Sequence, residues 1–364
     1  MFDPHAHSAA SAAEPDLTGK RLLIYDDDVW IFNIPQLMAL QAPDVHVLGL
    51  TITSGSGWHD ENVAHALRLT EIAGRTDVPV VPGATFPLVN SEKMTERWEA
   101  LYGKLVWKGA WMKQWVENTE QLMPSYHAHD VVPDLPEGNP TVKPANEIAA
   151  NFMLRMVHRY PGQVTILATG PMTNLALAQR LDHRFAALAK ELVYMGGSLN
   201  PHQQLASLAA RQFAREFVHS PRREFNFRWD PEAASITLRA PWNKITMVPV
   251  DPSTHTELSP ALLERMTRAD TALTRQLRLH ETGFPLWDEL AVAAWLDPSL
   301  IKRSVQAFVD VDTVFGPGYG DTLSWAPGYE PGLGENLQQI VQELDMPRFE
   351  RLLVELMNRE PRGA

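Results

Sequence analysis

Three consecutive aspartates, Asp26-Asp27-Asp28, end the apolar run that begins at Arg21, and the chain continues V-W-I-F-N-I-P from Val29 to Pro35. Adjacent carboxylates repel, so a hydrophobic run that stops in three of them needs a reason. One reason is a cation at the carboxyl end of a central strand in a parallel sheet, where open α/β sheets bind their ligands. The other is an acidic loop in solvent. Other segments end in the same way. Val164–Ala168 leads into Thr169-Gly170-Pro171, Val45–Thr53 into Ser54-Gly55-Ser56-Gly57, and Leu192–Met195 into Gly196-Gly197. At such junctions a carbonyl can face a cation, or backbone N–H groups an anion. Asp288 stands just inside an apolar helix running to Leu296, where a carboxylate by itself marks only a helix start.

The elements that must hold these groups follow from periodicity. Arg21–Tyr25 and Val45–Thr53 read as buried strands and Val78–Val81 as a short third. Helices are expected over Pro35–Ala42 and Asp60–Ala73, the second closed by Gly74. Further helices are expected over Asn146–Tyr160, from Pro231 behind an Asp230 cap, over Ser259–Met266 and over Asp270–His280. Strands follow at Val164–Ala168, Leu192–Met195 and Ile245–Val250. This alternation predicts an α/β fold with a mostly parallel open sheet flanked by helices. From about residue 85 to 144 the pattern weakens and aromatic residues gather: Phe86, Trp98, Tyr102, Trp107, Trp111, Trp115 and Tyr126. The stretch reads as a helical insertion, either packed through its own tryptophans or laid as a lid over a flat ligand. His127 and His129 alternate as on a strand face or loop, which does not make a metal motif. Residues 1–15, rich in Ala, Ser and His, read as disordered, and residues 16–364 as one domain.

Composition narrows the function. A net charge of −12 argues against sequence-independent nucleic-acid binding. With no cysteine, disulfides, thiolate nucleophiles and zinc-thiolate sites are excluded. No apolar run has the length of a membrane span. The start of the chain has neither the cationic nor the apolar part of an intact signal peptide, so a cytoplasmic location and export with the signal removed both stay open.

Taken together and in order, YDDD, VLGLTITSGSG, HALRLTEIAGRTDVPVVPGA, ATGPMTNLALA, VYMGGS, EFNFRWDPEAA, ITMVPVD and PLWDELAVAAWLDPSL resemble the nucleoside hydrolases of the inosine-uridine type over nearly the whole chain. The resemblance implies hydrolysis of the N-glycosidic bond of a nucleoside by water activated at a calcium ion. It makes Asp28 both a calcium ligand and the base that takes the water proton. Thr169, through its carbonyl, and Asp288 become further ligands, and Asp26 a buried partner of the loop. Met195, Glu224 and Asn226 fall where the family holds the sugar. The ligand would be a small nucleoside-like molecule, and the protein a dimer or tetramer, as is common in the family.

Four positions depart from the family pattern. The family's D-x-D-x-x-x-D-D ends here on Phe32 and Asn33, so a sugar-binding carboxylate is missing and a calcium ligand is reduced to the amide oxygen of Asn33. Ser56 replaces an asparagine at the sugar. Trp287 stands where inosine-uridine members carry histidine and purine-preferring members carry tryptophan, which leans toward a purine activated by stacking. Two readings stay open: a calcium-dependent nucleoside hydrolase, or a weakened or inactive member that binds a nucleoside-like or sugar ligand.

Overall fold

In the computed structural model the described residues are 17–31, 33–105, 107–113, 126–199 and 223–360. The expected disordered start, Phe32, Trp115 and most of the loop before Arg223 lie outside them.

The chain alternates strand and helix through its first two-thirds. β1 (Arg21–Asp27), α1 (Ile34–Gln41), β2 (Val45–Ile52), α2 (His59–Ile72) and β3 (Val80–Pro82) are followed by α3 (Glu92–Tyr102) and α4 (Ala149–Arg159). Next come β4 (Val164–Ala168), α5 (Thr173–Leu181), α6 (Phe185–Leu188) and β5 (Glu191–Met195). After residue 223 lie α7 (Phe225–Trp229), α8 (Pro231–Leu238), β6 (Ile245–Val248), α9 (Val250–Ser253), α10 (Pro260–Met266), α11 (Ala272–Leu277) and α12 (Asp288–Leu296). The chain closes with β7 (Ile301–Val311), β8 (Thr322–Trp325), β9 (Asn336–Leu344) and α13 (Met346–Met357).

The strands form one nine-stranded sheet in the order β3-β2-β1-β4-β5-β6-β9-β7-β8. Pairing is parallel from β3 through β9, whereas β7 pairs antiparallel with both β9 and β8. Period-two alternation divides the side chains of β1 between the two faces. Leu23 and Tyr25 join an apolar cluster with α1, α2, α12 and α13, and Leu22 and Ile24 join another with α4, α5 and α8. Every residue of α1 is buried, which accounts for its lack of a polar face.

The chain builds outward from β1 to β2 and β3, then returns to place β4 on the other side of β1. Between β1 and β4 the connections therefore diverge, which opens a crevice at the strand ends. Asp28 follows directly on β1 at this point, and Thr169 follows β4. Thr53 N–H donates to the Asp27 carbonyl at 3.0 Å and Thr169 N–H to the Asp26 carbonyl at 2.9 Å, so both neighbouring loops are tied to the end of β1.

Most expected elements form within a few residues of their predicted ends. β6 stops at Val248 rather than Val250 because Pro249 has no N–H for a ladder, and the chain turns into α9.

Candidate active site

The aspartate triplet splits by strand alternation. Asp26 is buried: its Oδ1 accepts from Thr51 Oγ1 at 2.6 Å and Asn174 Nδ2 at 2.9 Å, while its buried Oδ2 has no partner. Burial, with the charge of Asp27 adding, pushes its pKa up to about 7 against those donors. Asn174 Oδ1 accepts in turn from Ala84 N–H at 2.8 Å. Asp26 thus joins β1 to the loops after β3 and β4, as a structural partner would.

Asp28 lines a cavity of about 340 Å³ at the crevice. Its Oδ2 accepts from Ser56 N–H at 2.5 Å. Two glycines let the flanking loops come this close. A Cβ on Gly55 would lie 2.1 Å from Asp28 Oδ2, and one on Gly170 would lie 2.6 Å from Asp28 N. Burial and the neighbouring Asp27 charge hold the Asp28 carboxyl well above the usual range, opposed by the Ser56 donors.

Glu224 and Asn226 come from the start of α7. Glu224 caps that helix, its Oε1 accepting from Asn226 N–H at 2.7 Å and its Oε2 from Phe227 N–H at 3.1 Å and Gly197 N–H at 2.9 Å. The Asn226 amide donates to the carbonyls of Thr169 at 2.8 Å and Met195 at 3.1 Å, lacing the loops after β4 and β5. Both residues are buried and both line the cavity.

Asp288 opens α12, so its carboxylate stands at a helix N-terminus, which favours negative charge. It is half-buried in the cavity wall. Burial raises its pKa well above normal, and the charges of Asp27, Glu289, Asp28 and Glu224 add to the effect. Glu289, behind it, is raised to about 8, mainly by burial. The charges of Asp27, Asp28, Glu224 and Glu289 thus all act on Asp288, while the Arg228 cation opposes the rise that burial gives the pKa of Glu224.

The sequence-predicted residues Asp28, Asn33, Ser56, Thr169, Met195, Glu224, Asn226, Trp287 and Asp288 all line this one cavity. Asn33 does so with much of its amide already engaged. Its Oδ1 caps α1 by accepting from Gln36 N–H at 2.8 Å, and its Nδ2 donates to Asp27 Oδ2 at 2.9 Å. Asp27 escaped the sequence reading as a site group, because a residue between two assigned aspartates carries no spacing signal of its own.

The more open walls are aromatic. Trp30, Trp107, Phe225, Phe284 and Trp287 line the cavity and are each half-buried. Trp107 meets Trp30 edge-on at 5.8 Å between ring centres and Phe225 at 6.3 Å. The aromatic stretch therefore sends at least one ring to the cavity. Other rings from it pack on the main body: Trp111 stacks on Trp229 at 3.9 Å, and Trp98 packs with Leu105 and Tyr319. His127 contacts Glu61 at 3.1 Å, and His129 packs edge-on against Trp58 and Phe86. His280, which the sequence reading did not single out, also lines the cavity. Burial lowers its pKa, and its Nδ1 lies 2.6 Å from the Glu281 carbonyl.

Among the described residues no group of three or more His, Asp or Glu forms a ready metal cluster. The residues that the resemblance names as ligands nonetheless offer only oxygen donors: two carboxylates, the Thr169 carbonyl and the remaining lone pair of the Asn33 amide oxygen. Such a set fits a hard cation of the calcium kind and does not suit a soft one. No helix among the described residues is long and apolar enough to cross a membrane.

Known proteins share both the sequence and the fold. An uncharacterised protein of Schizosaccharomyces pombe is 30% identical over 338 residues, covering 88% of this chain and 78% of that protein. Uridine nucleosidase 1 of Arabidopsis thaliana is 33% identical over 67% of this chain and 61% of its own length, and the inosine-uridine preferring nucleoside hydrolase of Leishmania major is 25% identical over 92% and 94%. Among solved structures, a plant nucleoside hydrolase superposes with a TM-score of 0.68 at 23% identity over 93% of this chain and 99% of that one. A purine-preferring ribonucleoside hydrolase from Gardnerella vaginalis gives 0.68 at 22% over 93% and 98%. The family model described as inosine-uridine preferring nucleoside hydrolase matches residues 23–351, and the chain belongs to that family, whose activity is cleavage of the N-glycosidic bond of nucleosides.

Proposed function

We propose that this protein hydrolyses a nucleoside with a preference for a purine base, with Asp28 as the base that accepts the proton of the attacking water and calcium as the bound ion. The observation that supports the reading is that Asp28, Thr169 and Asp288, from three separate segments, line one cavity together with several half-buried aromatic rings.

Asp28, Asp288 and the Thr169 carbonyl would hold the ion, with the Asn33 amide oxygen beside them. When bound, a calcium ion acidifies water and fixes sugar hydroxyls. Asp28 Oδ2 is steadied by Ser56 N–H, which leaves its other oxygen to take the water proton. The water oxygen bonds to the anomeric carbon, and the bond to the base nitrogen breaks with its electron pair leaving on the base. Carboxylates under the sugar favour the positive charge that develops there. Glu224, fixed by three backbone N–H groups, and Asn226, whose Nδ2 is engaged by the Thr169 carbonyl, would face the sugar hydroxyls. Met195 and Ser56 would line the sugar pocket.

Trp287 supports the purine preference, because a flat indole in the cavity wall can stack on a leaving base. The relatives' names point both ways, to uridine in the Arabidopsis protein and to purines in the Gardnerella enzyme. Release of reducing sugar from purine and pyrimidine nucleosides, with calcium and with chelator, tests the proposal. Turnover that needs calcium and favours purines is expected. Ligand binding without sugar release from any nucleoside would instead support a binding protein, the reading favoured by the engaged amide of Asn33.

A further inference from the structure

We propose that Asp27 supplies the negative charge that an amide at position 33 cannot, so that the cation end of the cavity is held by the field of Asp27, Asp28 and Asp288, with Asp27 as a positioning residue behind the ligands. The inference rests on the calcium reading above.

Asp27 is almost fully buried, and neutral donors hold it on several sides. Its Oδ2 accepts from Tyr25 OH at 2.8 Å and Asn33 Nδ2 at 2.9 Å, and its Oδ1 from Asp28 N–H at 2.9 Å. Tyr25 OH in turn accepts from Thr169 Oγ1 at 2.8 Å, which links the assembly to the loop that offers the Thr169 carbonyl. Burial raises the Asp27 carboxyl above its usual range, and donors arranged in this way oppose that shift by stabilising the charged form. Asp27 is not among the residues that line the cavity, so it acts through its charge rather than as a ligand. Its contacts with Asp28 N–H and Asn33 Nδ2 set that charge directly beside the residues that would hold the ion.

Residues 27 and 33 are therefore complementary, one an anion and the other a neutral donor to it. An aspartate at 33 would lose the N–H donor and set a second carboxylate against Asp27. Restoring acid at position 33 alone adds repulsion rather than affinity. Moving the charge from 27 to 33 keeps one anion and one amide in contact.

Calcium titration calorimetry on the full chain, with thermal melts of the ion-free proteins, tests this without recourse to turnover. Asp27→Asn is expected to weaken calcium binding by about tenfold or more, since affinity in oxygen sites follows the charge around the ion. Asn33→Asp alone is expected to leave affinity unchanged or lower, and to lower the melting temperature of the ion-free protein. The double variant Asp27→Asn/Asn33→Asp is expected to bind within about threefold of the wild type. An unchanged affinity in Asp27→Asn, or tighter binding in Asn33→Asp alone, overturns the proposal while leaving the calcium reading intact. A folded wild type that takes up no calcium overturns both. Should Asp27→Asn fail to fold, Asn33→Asp decides alone: tighter binding refutes, and equal or weaker binding upholds.

Discussion

Asn226 Nδ2 bridges the carbonyls of Thr169 and Met195, at 2.8 and 3.1 Å, and so fixes the ends of two neighbouring strands from the helix that follows Glu224. The carbonyl expected to face the cation is thus set by a side chain expected to face the sugar. In the proposed reading, ion and sugar would therefore share one framework.

Asp28→Asn is expected to lower kcat by about a thousandfold or more, because ligand and base are lost together. The melting temperature of the ion-free protein should stay level or rise, since the change relieves repulsion with Asp27. A variant that retains a tenth or more of wild-type turnover would remove Asp28 from the role of base.

Trp287→Ala is expected to slow purine release about tenfold more than pyrimidine release, if stacking activates the leaving base. Kinetics on a matched purine and pyrimidine pair give the answer. Equal losses on both would reduce Trp287 to a wall of the cavity.

Calcium binding is expected to be modest, with Kd near 10⁻⁵ to 10⁻³ M on an order-of-magnitude scale, because the direct donors carry few charges. Chelator should strip the ion readily, and calcium at about a hundred times Kd should add roughly 2.7 kcal/mol of stability. Submicromolar binding would contradict this.

Asp230 offers a pH test away from the cavity. It caps α8 by accepting from Ala233 N–H at 3.1 Å, and its other oxygen accepts from Thr173 Oγ1 at 2.7 Å and Leu88 N–H at 2.9 Å. Burial nevertheless raises its pKa to about 6. A raised carboxyl favours the fold below its unfolded pKa of about 3.9, and that contribution is lost as pH rises through the folded value. Denaturant titrations should therefore show the wild type losing about 2 to 3 kcal/mol relative to Asp230→Asn between pH 4 and 7. Parallel pH profiles would contradict the assignment.

Trp111→Ala is expected to cost about 3 to 5 kcal/mol, as the loss of a buried ring leaves a cavity against Trp229. Chemical denaturation measures it. A cost below about 1 kcal/mol would mean that the stack carries little of the packing.

The sequence was most legible where apolar runs stop in polar groups. Such stops place Asp28, Thr169 and Met195 at the end of a parallel sheet, since burial on both faces makes central strands plain. Asn33 shows where that reading stops. Its position could be aligned, but whether its amide faces an ion, caps a helix or holds Asp27 is a matter of side-chain orientation. α7 was missed because five residues are too few to display a helical period. The antiparallel strands β7 to β9 were also left unread: β7 alternates only loosely between exposed and buried positions, so its pattern is weak.

The lacing of strand ends by Asn226 also bears on how such a protein can change. A base of the cavity tied together by its own hydrogen bonds does not depend on the aromatic walls for its shape. Under the proposed reading, substitutions among Trp30, Trp107, Phe284 and Trp287 would alter which leaving group is admitted while the carboxylate end keeps its form. Selectivity and chemistry would then be separately heritable.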